Sequence, residues 1–170
     1  MKASGTFAAA MIFATTTIGA AAPALAGGPP NDGGGGAAAA STPGSCADAE
    51  LAVSSGPIES ASTMRRVVVS FKNISSSQCT LVGYPDANLV TAAGGVLVHV
   101  EIRPALASHL LHLNPGDVAT AEVQSYAADT TTGNNCGREG TLVVTAPHDS
   151  VAHTLPVSLP ICSATISNVD

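Results

Sequence analysis

From residue 46 onward the chain alternates short β-branched runs with turn signals. In 66–74, Val67, Val69 and Phe71 fall on one side and Val68, Ser70 and Lys72 on the other, the period-two pattern of a strand with one buried face. Asn73 and Ser75-Ser76-Ser77 then break the run. Further strands are expected at 51–54, 79–82, 87–91, 96–101, 109–113, 118–125, 141–145, 154–158 and 164–167. Between them stand Gly83-Tyr84-Pro85-Asp86, Ala93-Gly94-Gly95, Asn114-Pro115-Gly116-Asp117 and Ala146-Pro147-His148-Asp149. Gly94-Gly95 predicts a tight hairpin. Pro115-Gly116 predicts a type II turn, because proline fixes φ at the second position and glycine accepts positive φ at the third. No segment keeps helical spacing beyond about two turns, and no connection is long enough for a crossover helix, so parallel pairing is not expected. The pattern predicts an all-β fold, an immunoglobulin-like two-sheet antiparallel sandwich.

The N-terminal part reads differently. Lys2 precedes an apolar, uncharged run over 7–18, followed by Pro23-Ala24-Leu25-Ala26-Gly27. A basic start, a short apolar stretch and small residues at Ala24 and Ala26 predict a secretory signal peptide over 1–26. A retained anchor would need about 20 strongly apolar residues, and Thr15, Thr16, Thr17 and Gly19 dilute this run. A lipid anchor would need a cysteine directly after it, whereas the first is Cys46. Residues 27–45, rich in Gly, Ala and Pro, have no apolar periodicity and predict a disordered tether. The remaining 46–170 forms the expected domain.

Composition narrows the function. The chain has 170 residues, a formal charge of −6 and 3% aromatic residues. Loss of Lys2 with the signal peptide would make it more acidic still. An acidic surface poor in aromatics argues against nucleic acid and anionic lipid as partners. Four cysteines without CxxC pairs predict two disulfides in an oxidising compartment. Of three possible connectivities, the nested pairing of Cys46 with Cys162 and Cys79 with Cys136 is expected, because it would clamp both ends. Spacing alone leaves the other two open. The nested closures would contribute at most about 4 to 5 kcal/mol each. A reactive thiolate is not expected, since Arg138 near Cys136 is the only neighbouring cation.

The string running from Val69-Ser70-Phe71-Lys72-Asn73-Ile74-Ser75 through Cys79-Thr80-Leu81-Val82-Gly83-Tyr84-Pro85-Asp86, then Leu113-Asn114-Pro115-Gly116-Asp117, Cys136 and Cys162, resembles the secreted actinobacterial family of domain of unknown function 4232. The resemblance spans roughly residues 46–167. It implies an exported protein with a β-sandwich-like domain and no established catalytic activity. Where relatives carry a Trp near the end of the strand after the Pro-Gly turn, this chain has Ser125-Tyr126. Independently of the family, Asn73 and the serines suit a side-chain-templated turn, and Gly83-Tyr84-Pro85 suits a corner with Tyr84 partly buried.

Candidate chemistry is sparse. His109 and His112 would share a helix face, but on a strand they point to opposite sides. His99 could meet His109 across neighbouring strands, and His148 and His153 flank a turn, yet no further ligands complete a set. There is no Gly-x-Ser-x-Gly nucleophile elbow and no phosphate loop. Glu101, Asp117, Glu122 and Asp129 are too scattered to nominate a catalytic pair. The expectation is an exported, non-catalytic β-sandwich module with no catalytic, cofactor or metal residues assigned. It would be monomeric, without a membrane span once the signal is removed, and its partner would be an envelope or extracellular protein or glycan. The alternative is an extracytoplasmic copper or zinc binder using some of the five histidines; an unrecognised hydrolase is less favoured.

Overall fold

The computed structural model describes residues 43–104 and 108–170; the expected signal peptide, and the tether up to residue 42, lie outside them. In chain order the strands are β1 (Leu51–Ser55), β2 (Glu59–Ala61), β3 (Met64–Asn73), β4 (Cys79–Leu81), β5 (Asp86–Val90), β6 (Val96–His99), β7 (Glu101–Ile102), β8 (Leu111–Leu113), β9 (Val118–Tyr126), β10 (Glu139–Thr145), β11 (Ala152–Pro160) and β12 (Cys162–Ile166). A short 3₁₀ turn, Asp48–Glu50, precedes β1.

Two main sheets make a sandwich-like arrangement, as the alternating pattern predicts. One runs β1-β3-β9-β12-β7 with β2 also on β3, and the other runs β11-β10-β5-β6. The spine is the antiparallel β3–β9 pair, in register from Met64 opposite Tyr126 to Lys72 opposite Val118. Val67, Val69 and Phe71 are fully buried, and β9 alternates in the same phase with Ala119, Ala121 and Val123 inward. Phe71 lies opposite Ala119, and Val69 opposite Ala121. Large therefore meets small across the ladder, which is how one phenylalanine fits a layer only one sheet spacing thick. Ala87, Leu89, Leu142, Val144, Leu155 and Leu159 of the second sheet close the same core. Gly140 is required by close approach: a Cβ there would lie 2.8 Å from the Leu89 Cβ.

A corner over residues 73–85 gathers both ends of the described domain. The fully buried Asn73 side chain donates through Nδ2 to the Ser77 and Leu113 carbonyls, both at 2.8 Å. Its Oδ1 accepts from the Ser75 amide at 2.9 Å and the Ser75 hydroxyl at 2.8 Å. The serine-rich turn is thus shaped by a side chain that replaces strand pairing. It delivers β4, where Thr80 accepts from the Cys46 amide and donates to the Gly44 carbonyl, each at 2.8 Å. Gly44 and Ser45, at the end of the expected tether, are therefore held against β4. Beyond β4, Gly83 (φ +103°) turns the chain, and its carbonyl accepts from the Val169 amide at 2.9 Å. Tyr84 is half-buried, as expected for the corner.

Several expectations need correction. Cys46 bonds Cys79 and Cys136 bonds Cys162, not the nested pairs. The ends need no cross-chain clamp, because hydrogen bonds to Thr80 already bring the Cys46 and Cys79 Cα atoms to 4.9 Å. The closed loops are shorter, with separations of 33 and 26 residues, so the entropic ceiling falls to roughly 3.5 kcal/mol each. β7 pairs with β12 in parallel, against expectation. The long connection between them runs through β8 to β11, of which β9 pairs with β12 in the same sheet, so β12 reaches β7 without a crossover helix among the described residues. The chain changes sheets at the buried Val100, which splits the single strand expected over 96–101 into β6 and β7. β4 and β8 form a separate two-stranded sheet. β8 begins at Leu111, so His109 lies before it rather than inside it. β2 was not expected because Glu59-Ser60-Ala61 is wholly exposed and carries no apolar period. The hairpin at Gly94-Gly95 is present, and Gly116 has φ +90° with the Asp117 amide bonding the Asn114 carbonyl, as a type II turn requires.

Two predictions follow. Cleavage after Glu50, Glu59, Glu101, Glu122 and Glu139 puts each cysteine on its own fragment. Non-reducing mass mapping with a glutamate-specific protease should join the Cys46 fragment to the Cys79 fragment and the Cys136 fragment to the Cys162 fragment. In denaturant titration, Asn73→Ala should cost about 3 kcal/mol, because it strands buried carbonyls. Ser125→Ala should be neutral or stabilising by up to about 1 kcal/mol, since the buried Ser125 hydroxyl has no hydrogen-bond partner among the described residues.

Candidate functional site

The β3–β9 register that buries Val67 and Val123 turns Arg66, Val68, Thr120, Glu122 and Gln124 to the opposite face of the sheet. Glu122 lies opposite Val68, one diagonal step from Arg66, and its Oε2 is ion-paired with the Arg66 Nε. Its Oε1 accepts from an Arg103 terminal nitrogen at 2.8 Å and from the Gln124 side-chain Nε2. Arg103 follows β7, and its backbone amide bonds the Ile166 carbonyl at 2.8 Å, so the parallel β7–β12 pair is what carries this guanidinium to the site. Arg66 also reaches the Glu59 carboxylate at 3.6 Å. On the other side, Ser167 and Glu122 exchange hydrogen bonds, the Glu122 amide donating to the Ser167 hydroxyl and the Ser167 amide to the Glu122 carbonyl, each at 2.9 Å. Asp170 pairs with Thr120 through backbone and side chain.

Of these groups, Arg66, Val68, Arg103, Thr120, Glu122, Ser167 and Asp170 line an open cleft of about 310 Å³. The side chains of Arg66, Arg103 and Glu122 are 40%, 32% and 21% exposed. Two of the chain's six Lys and Arg residues converge here on one carboxylate. Chemically, the cleft presents two guanidiniums paired with Glu122, that of Arg103 through a hydrogen bond and that of Arg66 as an ion pair, with hydroxyl and carboxylate acceptors beside them. Such a surface suits hydrogen-bonding recognition of polar groups. Sequence reasoning singled out Glu122 only as one scattered carboxylate and did not select Arg66, Arg103 or Ser167. Period-two alternation places Arg66 and Glu122 outward, but nothing in the sequence states that β3 and β9 are neighbours.

The histidines are dispersed. His99 ends β6 and, with Glu101, lines another open cleft. His109 is exposed ahead of β8, and His112 is exposed on β8 opposite Thr80. His148 sits at a turn with φ +63°, its ring beside Gly83. His153 on β11 meets Asp48 at 2.6 Å. Among the described residues no three His, Cys, Asp or Glu side chains come together as a metal site would need. Two further carboxylates, Asp117 and Asp129, shape turns. Asp117 accepts from the Asn114 amide and side chain at 2.9 Å. Asp129 accepts from the Thr132 and Thr131 amides at 2.7 and 2.8 Å, and these bonds hold its carboxyl below the usual aspartate range.

A cleft of about 270 Å³ lies at the loop joining β9 to β10, lined by Ala127, Asn135, Cys136, Arg138, Glu139 and Pro160, with Gly137 between them. No helix among the described residues is long and apolar enough to cross a membrane. Residues 46–169 match the family model described as "Domain of unknown function (DUF4232)". No curated protein and no solved structure matches the chain.

Replacing Glu122 with Gln would leave two half-exposed guanidiniums facing each other without their shared counter-charge. Thermal or denaturant unfolding of Glu122→Gln should show a loss of about 1 kcal/mol at low ionic strength that shrinks as salt is added.

Proposed function

Because the chain belongs to the DUF4232 family, a premise that assigns no activity, we propose its role from fold and chemistry: an exported, non-catalytic β-sandwich module that binds a partner at the cell envelope or outside the cell. The observation that carries this reading is the pair of disulfides, Cys46–Cys79 and Cys136–Cys162, which together use all four cysteines. Such bonds form and persist in oxidising compartments. The signal-peptide pattern over 1–26 supports export. The non-catalytic part is supported by how the polar groups are engaged: Glu122 by two arginines, His153 by Asp48, Asp117 and Asp129 by backbone amides of turns. The contact surface is the Arg66–Glu122–Arg103 cleft, whose fixed donors and acceptors match the hydroxyl and carboxylate groups of an envelope glycan or the polar surface of a protein.

The test expresses the full chain in a bacterial host that secretes it and fractionates the culture. The mature protein should be found in the medium or the envelope, starting at Gly27, and should sediment with isolated envelope material. Arg103→Ala should weaken that retention roughly tenfold, equivalent to about 1.4 kcal/mol. A cytoplasmic protein retaining residues 1–26 would refute export. A secreted protein that never sediments with envelope and captures nothing from the medium would refute the binding role.

A further inference from the structure

The two disulfides occupy different surroundings. Cys46 and Cys79 are 4% and 3% exposed and belong to the hydrophobic core, so a reagent reaches their sulfurs only if the core opens. Cys136 and Cys162 are both half-buried and stand outside that cluster. Cys136 lines the 270 Å³ cleft directly, between the exposed Arg138 and Asn135, while Cys162 does not line it. The Cys136 sulfur also lies 3.1 Å from the Tyr126 carbonyl oxygen, so a thiol formed there would find its acceptor already in place. We infer that Cys136–Cys162 is a thiol-exchange site, open to attack at the Cys136 sulfur by a low-molecular-weight thiol entering the cleft, whereas Cys46–Cys79 is a structural bond closed to it.

The reaction balances as ordinary exchange. The attacking thiolate forms a new S–S bond to Cys136, the Cys136–Cys162 bond breaks, and its electron pair leaves on the Cys162 sulfur, which takes a proton from water. A second thiolate can attack the small-molecule sulfur of the mixed disulfide, releasing the symmetric small-molecule disulfide and the Cys136 thiolate, which takes a proton from water and donates as a thiol to the Tyr126 carbonyl. Arg138 and Glu139 both line the cleft, so their charges offset and it is access to the Cys136 sulfur that directs the attack.

The loop has other ties that keep the opening local. The Asp129 amide bonds the Asn134 carbonyl at 2.8 Å, the Cys136 amide bonds the Ala127 carbonyl at 2.9 Å, and the Ile161 amide bonds the Arg138 carbonyl at 3.3 Å. Exchange at Cys136 therefore changes the charge and bulk of one loop without unfolding the sheets, which is what a reversible modification site requires.

The experiment incubates the oxidised native protein with reduced glutathione, traps free thiols with a large excess of iodoacetamide at mildly alkaline pH, and maps the glutamate-specific fragments by mass. The expected result is glutathione on Cys136 and alkylated Cys162 at a rate at least about tenfold above any change at Cys46 or Cys79, with the β-sheet circular dichroism retained. In guanidinium chloride the two bonds should open at similar rates, because access no longer differs. Equal rates in the native protein, or prior opening of Cys46–Cys79, would overturn the inference, as would resistance of both bonds. Glutathione on Cys162 in place of Cys136 would overturn the assigned point of attack.

Discussion

The buried side-chain amide of Asn73 is the interaction on which the domain's closure depends. A polar group with no exposure to water must find its partners inside the protein, and Asn73 finds four: two carbonyls and two donors from the Ser75–Ser77 turn and β8. Satisfying it ends β3, bends the chain into β4 and fixes β8 beside that bend. Once β4 is placed, Thr80 captures the segment from Gly44 to Cys46, and Gly83 captures Val169. The first and last residues of the domain are thus tied to one corner by backbone hydrogen bonds, and the Cys46–Cys79 bond makes the first of these ties covalent.

The same spine that begins at this corner sets the outer face. With β3 and β9 in register over nine residues, burial of Val67, Val69 and Phe71 obliges Arg66 and Glu122 to stand outward one diagonal step apart. The third member, Arg103, comes from the far edge, through the sheet change at Val100 and the parallel pairing of β7 with β12. The cleft is therefore a product of topology: three charges from segments distant in sequence, held outward because burial of Val67, Val69 and Phe71 forbids a one-residue slip of β3 on β9.

Much of this was legible in the sequence. Period two marked the buried face of β3, and proline with glycine marked the turn before β9. The string from Asn73 to Pro85 carried both the family resemblance and a physical reason, a turn built by side chains. What was not legible is long-range. Strand partnership is decided by packing among all strands at once, so neither the Arg66–Glu122–Arg103 convergence nor the parallel edge could be read locally. The cysteine pairing failed for the same reason: a clamp between the ends looked necessary only while the hydrogen bonds of Thr80 and Gly83 were unseen. β2, entirely exposed, offered no pattern at all.

If the Asn73 corner closes the domain, it must open only when the domain unfolds. Native-state hydrogen exchange reads this directly, because the amides of Cys46, Ser75, Thr80 and Val169 each make one of the bonds in question. These four should exchange with the same free energy and denaturant dependence as the Val67, Val69 and Val123 amides of the β3–β9 spine, through global unfolding. Exchange of the four by a local opening well below the global value, with the spine still protected, would contradict it.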